Sequence, residues 1–254
     1  MNAQQLKNAI LQEAIEGRLV PQDPNDEPAS VLLARIRQEK ERLVKEGKLK
    51  KKDLEVKPIS EDEIPFEIPE SWEWCRLGDI IEFINGRAYK KDELLDKGKY
   101  KVLRVGNFFT NDSWYYSDLE LEDDKYCDNG DLLYAWSASF GPRIWDGEKV
   151  IYHYHIWKMV CSSKIDKYFL CYWLDSDELK KQTMTNLHGA TMAHITKGII
   201  EATHVAFHSL SEQHSIVTTL DSLKSKVDRL QENYEKISQE CDALKQAILR
   251  QVFE

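Results

Sequence analysis

From Ser209 to Glu254 the chain has no proline and no glycine. Apolar or near-apolar residues recur there at Ile216, Leu220, Leu223, Val227, Leu230, Tyr234, Ile237, Cys241, Leu244 and Ile248. The steps alternate between four and three residues, which is the period of a heptad seam. Ser209 followed by Glu212 forms the pattern of a capping box, in which each side chain satisfies a backbone N–H at the start of a helix. Together these features predict a single helix of roughly 42 residues, about 60 Å long at 1.5 Å per residue. Such a helix outruns a small domain, so it must protrude or lie along a partner. Its one apolar stripe needs a second stripe to cover it.

The start of the chain offers such a stripe. Leu6-Lys7-Asn8-Ala9-Ile10-Leu11-Gln12-Glu13-Ala14-Ile15-Glu16 is nearly repeated by Leu244-Lys245-Gln246-Ala247-Ile248-Leu249-Arg250-Gln251-Val252-Phe253-Glu254. Leu6, Ile10 and Ile15 match the closing helix in kind. Pro21, Pro24 and Pro28 then break the chain, because proline removes a backbone donor and disfavours helix in the residue before it. Ser30 is expected to cap a second helix from Val31 to about Glu46, ended by Gly47. A lysine run, Lys48-Leu49-Lys50-Lys51-Lys52, leads into an exposed linker carrying Pro58, Pro65 and Pro69.

Between Glu70 and His208 the pattern changes to short apolar and aromatic runs: Ile80–Ile84, Tyr100–Val105, Asp131–Trp136 and Val150–Cys161. Asn85-Gly86, Gly106-Asn107, Asn129-Gly130, Gly141-Pro142 and Asp146-Gly147 separate them as turns. Aromatic and β-branched residues suit a pleated, half-buried surface, so this region is strand-rich. One helix is expected within it, over Lys167–Thr183. The fold class is therefore α+β: a helical segment and linker over 1–69, a strand-rich domain over 70–208, and a long coiled-coil helix over 209–254.

With 254 residues and 42% hydrophobic content, the chain can fill at least one core. The five cysteines are scattered and never form a Cys-x-x-Cys pair, which points to reduced thiols in the core rather than disulfides or a zinc ribbon. No apolar run spans a membrane and no signal peptide opens the chain, so a soluble, cytoplasmic protein is expected. A net charge of -9 argues against gripping nucleic acid by bulk electrostatics. Any DNA reader here depends on local patches or on a basic partner.

Motifs for phosphate cradling, dinucleotide binding and an activated serine are all missing, so no catalytic residues are assigned. His153 and His155 would share one face of a strand, with no third ligand at a telling spacing, and His204 and His208 fall in a strand context. Neither pair is read as a metal site. The acidic group Glu120, Glu122, Asp123 and Asp124 is read as a solvated turn. Two stretches look like surface readers. Asn85-Gly86-Arg87-Ala88-Tyr89-Lys90-Lys91 places three cations around an aromatic, a combination suited to phosphates and base edges. Asn186 to Lys197 is glycine-hinged and rich in hydrogen-bonding side chains.

Ile68-Pro69-Glu70-Ser71-Trp72-Glu73-Trp74, Leu103-Arg104-Val105-Gly106-Asn107, Gly130-Asp131-Leu132-Leu133-Tyr134-Ala135-Trp136-Ser137, His155-Ile156-Trp157-Lys158 and Leu210-Ser211-Glu212-Gln213 follow one another in this order. In that order the chain resembles the specificity subunit of type I restriction-modification systems, in a form with one target recognition domain instead of the usual two. The resemblance implies that 70–208 reads half of a split site in double-stranded DNA. It implies that the long helix is a spacer and a docking surface for DNA methyltransferase subunits, with a restriction subunit where cleavage occurs. S-adenosylmethionine, magnesium and ATP would then be bound by those partner subunits, and this chain would need no cofactor and carry no catalysis. A homodimer of antiparallel helices would rebuild the two-domain arrangement and read an interrupted palindrome. The expected DNA contacts are Arg87, Tyr89, Lys90, Lys91, Ser137, Arg143, His188, Thr191, Met192 and Lys197. The expected dimer or partner contacts are Leu6, Ile10, Ile216, Leu220, Leu223, Val227, Leu230, Tyr234, Ile237, Leu244 and Ile248. The rival readings are a metal-dependent DNA nuclease and a coiled-coil scaffold with no DNA role.

Overall fold

The structure, a computed structural model, describes residues 2–47, 54, 56–137, 139–184 and 194–253. Helix α1 (Ala3–Ile15) opens with a capping box in which Asn2 Oδ1 accepts from Gln5 N at 2.8 Å and Gln5 Oε1 accepts from Asn2 N at 2.9 Å. Gly17 turns the chain after it. Its φ of +74° is a left-handed conformation, and a Cβ there would lie 2.5 Å from Pro69 Cγ. Helix α2 (Ala29–Lys45) begins two residues before the expected start, with Pro28 at its N-cap. Ser30 does not cap it; instead the Ala29 N–H donates to the Ser71 carbonyl at 3.0 Å.

The middle of the chain forms two four-stranded sheets and a ribbon. β1 (Glu73–Arg76), the short helix α3 (Leu77–Ile80) and β2 (Ile81–Asn85) come first. β3 (Tyr100–Leu103), α4 (Val105–Phe109), β4 (Tyr115–Ser117) and β5 (Tyr126–Cys127) follow. The hairpin β6 (Leu132–Ser137) and β7 (Ser139–Ile144) precedes β8 (Val150–Tyr152) and β9 (Ile156–Cys161). After α5 (Lys167–Asp175), α6 (Asp177–Met184) and α7 (Lys197–Ala202), β10 (His204–Phe207) leads into α8 (Leu210–Phe253). One sheet runs β2-β9-β6-β7, the second β4-β3-β8-β5, and β1 pairs with β10. All pairings are antiparallel except β3 with β8.

Three sequence expectations are corrected. The run Tyr100–Val105 is a strand only to Leu103, after which Val105 starts α4. The run Val150–Cys161 is two strands, because the Ile156 N–H donates to the His153 carbonyl at 2.9 Å and closes a turn that moves the chain from one sheet to the other. The helix over Lys167–Thr183 is two helices. Ser176 is extended at ψ 153°, its hydroxyl donates to the Trp173 carbonyl at 2.6 Å, and its Oγ accepts from Leu179 N at 3.2 Å. A serine that bonds to backbone on both sides competes with the helix ladder.

The period of two along a strand explains how β6 serves two cores. On β6, Leu132 and Tyr134 face the main core while Leu133 and Ala135 face a second one with Leu103, Phe108, Val150 and Tyr152. The main core also takes Ala14 and Ile15 of α1, Leu32 and Ile36 of α2, and Ile216 and Leu220 of α8. The N-terminal helices, the β region and the base of the long helix therefore share one hydrophobic interior.

The junction at the start of α8 is polar and tightly tied. Ser209 Oγ accepts from Glu212 N at 3.0 Å, which is half of the expected capping box. The Glu212 carboxylate goes elsewhere, accepting from Trp72 Nε1 at 2.9 Å and from Gln22 Nε2 at 2.5 Å. His208 is fully buried, with its ring stacked on Trp72 at 3.9 Å between centroids. The cysteine expectation holds for Cys75 and Cys127, which are buried free thiols, but Cys241 is exposed on α8.

Candidate nucleic-acid interface

The first expected reader segment folds back onto the β8–β9 turn. The Gly86 N–H donates to the Ile156 carbonyl at 3.2 Å, the Arg87 N–H to the Tyr152 carbonyl at 3.0 Å, and the Tyr154 N–H to the Arg87 carbonyl at 3.1 Å. Gly86 is required by space: a Cβ would lie 2.4 Å from the Tyr152 and His153 carbonyl oxygens. Lacing these loops together consumes one of the segment's three cations. Arg87 forms a two-pronged ion pair with Glu93, at 2.8 and 2.7 Å, and that hydrogen-bonded guanidinium holds the Glu93 carboxyl down at about 2. Tyr89 lies half-buried under Arg87, 5.2 Å from the guanidinium carbon to the ring centroid. Lys90 and Lys91 are exposed.

Other expected contacts are also engaged within the chain. Arg143 donates to the Phe108 carbonyl at 2.9 Å and to Asp146 at 3.0 Å. Lys197 donates to the Phe83 carbonyl at 2.9 Å and lies 3.5 Å from Glu201. Ser137 is buried and bridges to His194. His188, Thr191 and Met192, like the lysine run before the linker, lie outside the described residues.

Beside Ser137 a ring cluster gathers whose members were not among the expected DNA contacts. Trp136 donates from Nε1 to the Tyr154 carbonyl at 2.9 Å and packs against the rings of Tyr154, His155 and His194. His153 and His155, expected on one strand face, stand on the β8–β9 turn with ring centroids 4.8 Å apart. Burial, then the neighbouring His155 and Arg104, push the His153 ring down to about 4. Burial likewise lowers His155, helped by His194 and Arg104. Both rings are thus biased toward the neutral form, in which a ring offers one N–H donor and one acceptor.

These two histidines line a cavity of about 330 Å³ with Arg104, Asn107, Asn111 and Tyr115. Arg104 is exposed, its guanidinium carbon lies 5.2 Å from the Tyr115 ring centroid, and among the described residues it has no ion pair. The sequence contained this arginine in the motif Leu103-Arg104-Val105-Gly106-Asn107, but nothing local marked it as unpaired while Arg87 was spent. That difference depends on which carboxylates the fold brings near. Among the described residues, no group of three side chains is placed to hold a metal ion, and no helix is long and apolar enough to cross a membrane.

The comparisons with known proteins agree on one family. The model of the type I restriction modification DNA specificity domain matches residues 69–239. The chain is similar to the specificity subunit of the type I restriction enzyme EcoAI of Escherichia coli, at 59% identity over 102 residues, 40% of this chain and 17% of that protein. It is also similar to the EcoEI specificity subunit of the same organism, at 63% identity over 76 residues, 30% of this chain and 13% of that protein. The chain thus matches less than a fifth of the length of either of these relatives. Its fold is like that of the HsdS subunit of Thermoanaerobacter tengcongensis, with a TM-score of 0.57 at 19% identity over 99% of this chain and 57% of that one. With a family match over most of its residues and a fold to go with it, the chain belongs to the type I restriction-modification DNA specificity family.

Proposed function

We propose that the chain is a non-catalytic recognition subunit that reads half of a bipartite site in double-stranded DNA and carries methyltransferase subunits to it. The reader is the strand-rich region over 70–208, and its contact face is the end where the β3–α4 turn, the β8–β9 turn and Trp136 meet. Methyl transfer from S-adenosylmethionine, and any ATP- and magnesium-dependent cleavage by a restriction subunit, belong to the partners.

Assembly rests on one observation. The first half of α8 is covered within the chain, with Ile216, Leu220 and Val227 buried, while Leu230, Tyr234, Ile237, Leu244 and Ile248 are 51–71% exposed along the same seam. A heptad stripe left bare over about five turns is the kind of surface a second helix covers. Two copies pairing in antiparallel fashion through this outer half would hold two identical readers in opposite senses, and the target would be an interrupted palindrome.

Co-purification with the methyltransferase subunit, followed by a binding assay on duplex DNA, tests the reading. Sequence-selective binding by the assembly supports it, and assembly with no sequence-selective binding would leave a scaffold. Mapping methylated sites in cells carrying the system tests the dimer, since an asymmetric bipartite motif would mean pairing with a different reader. Tyr234→Glu with Ile237→Glu is expected to leave the chain monomeric by sedimentation velocity.

A further inference from the structure

The chain carries a net charge of -9, yet one cavity on its reader domain is lined by an arginine and two histidines and, among the described residues, by no carboxylate. Two other cavities lack this bias. The one between α2 and β1 sets Glu73 and Asp79 against Arg37, Lys40 and Lys57, and the one between α1 and α8 sets Asp175 against Lys7 and Lys224. The two arginines named for the contact face at the outset are both paired, Arg87 with Glu93 and Arg143 with Asp146, while Lys90 and Lys91 stand exposed.

Arg104 is held differently. Tyr115 supports its guanidinium through the ring face, which orients the group without cancelling its charge. Among the described residues the guanidinium fork has no ion pair, and its N–H donors stand beside the two imidazoles. With a volume of about 330 Å³, the cavity holds roughly ten waters at about 30 Å³ each, so an oxyanion enters without rearrangement. Its guanidinium and ring N–H donors suit a ligand with acceptor oxygens and negative charge.

We propose that this cavity seats a phosphate of the DNA backbone, with Arg104 as its charged contact and His153 and His155 as flanking N–H donors. The inference rests on the reading of the chain as a DNA-recognition subunit. It assigns Arg104 a positioning contact, one that sets the register of the reader on the duplex without selecting a base. Phosphate contacts of this kind are shared by all sequences.

The test has two arms, both on the full chain. In the first, inorganic phosphate is titrated while the imidazole resonances are followed by NMR. Saturable shifts of His153 and His155, lost in Arg104→Ala and partly kept in Arg104→Lys, are expected, and the absence of any shift in the natural protein overturns the site. In the second, duplexes carrying the methylated site and scrambled duplexes are bound over a range of salt, with the methyltransferase subunit present. Arg104→Ala is expected to weaken both duplexes by the same factor, about tenfold, and to reduce the salt slope by about 1. A loss confined to the methylated-site duplex would make Arg104 a base reader and overturn the phosphate assignment. Phosphate shifts without binding of any duplex would keep an anion site, assign it to free phosphate, and sink the DNA reading. Arg104 is exposed, so circular dichroism of the variant is expected to match the natural protein.

Discussion

The segments Leu6–Glu16 and Leu244–Phe253 share the same Leu-Lys-x-Ala-Ile-Leu core, yet at matching positions Ala14 and Ile15 are 0% and 1% exposed while Val252 and Phe253 are 67% and 81% exposed. Both are helical, and both present an apolar stripe. The first copy lies along the base of α8, where Lys7 pairs with Asp228, and its end packs by Gly17 against Pro69 and Trp72. The second copy stands at the far end of α8, where it begins 17 residues beyond Val227, the last buried position on that helix. Their local preference is the same, so the difference in burial comes from what the rest of the chain lays against each.

The strongest way to break this comparison is to truncate both copies. Ile15→Ala is expected to cost about 2–5 kcal/mol in urea unfolding of dilute protein, since it opens a cavity in the main core. Phe253→Ala is expected to stay within about 0.5 kcal/mol. A loss at Phe253 comparable to that at Ile15 would mean the second copy is covered as well.

The junction that receives the first copy should also respond to acid. Burial pulls His208 from 6.5 down to about 3, with only the Ala206 backbone opposing. Its folded value lies below its unfolded one, so the neutral ring stabilises the fold above pH 6.5, and that contribution shrinks as the pH falls towards 3. The expected loss is on the order of a few kcal/mol. His153 adds a change of the same sign, so the measurement is a comparison. The urea midpoint of the natural protein should fall more steeply across this window than that of His208→Phe, which keeps the stack on Trp72. Equal slopes would remove His208 from the account.

Smaller effects are expected at the cap and at the surface. Ser209→Ala deprives Glu212 N of its acceptor and should cost about 1 kcal/mol by urea unfolding. Lys7→Ala should cost about 0.2–1 kcal/mol at low salt and nothing at high salt, because its pair with Asp228 is partly exposed. Lys245→Ala, at the matching place in the second copy, should change nothing at either salt concentration.

Much of the architecture was legible wherever one residue pattern had one outcome. The heptad spacing and the Ser209 cap predicted α8 nearly to its ends, and the aromatic runs with their turn residues predicted β2, β6 and the strand-rich middle. Legibility failed where a short polar side chain or a distant carbonyl chose between outcomes. Ser176 split one helix into two, and a hydrogen bond to His153 split one strand into two. At the candidate interface, Arg87 was readable as a cation but not as a partner of Glu93, and Arg104 was readable as a motif residue but not as a cation without an ion pair among the described residues.

The sequence by itself determined the periodicities: a helix too long to be buried alone, a β region with alternating faces, and two copies of one amphipathic segment. Periodicity belongs to the backbone and holds before any contact is made. Tertiary structure decided which half of the α8 seam is covered, which copy of the repeated segment is buried, and which arginine keeps its charge available. Each of those outcomes depends on groups far apart in the chain, and burial and ion pairing are settled only when the fold brings those groups within a few ångströms of one another.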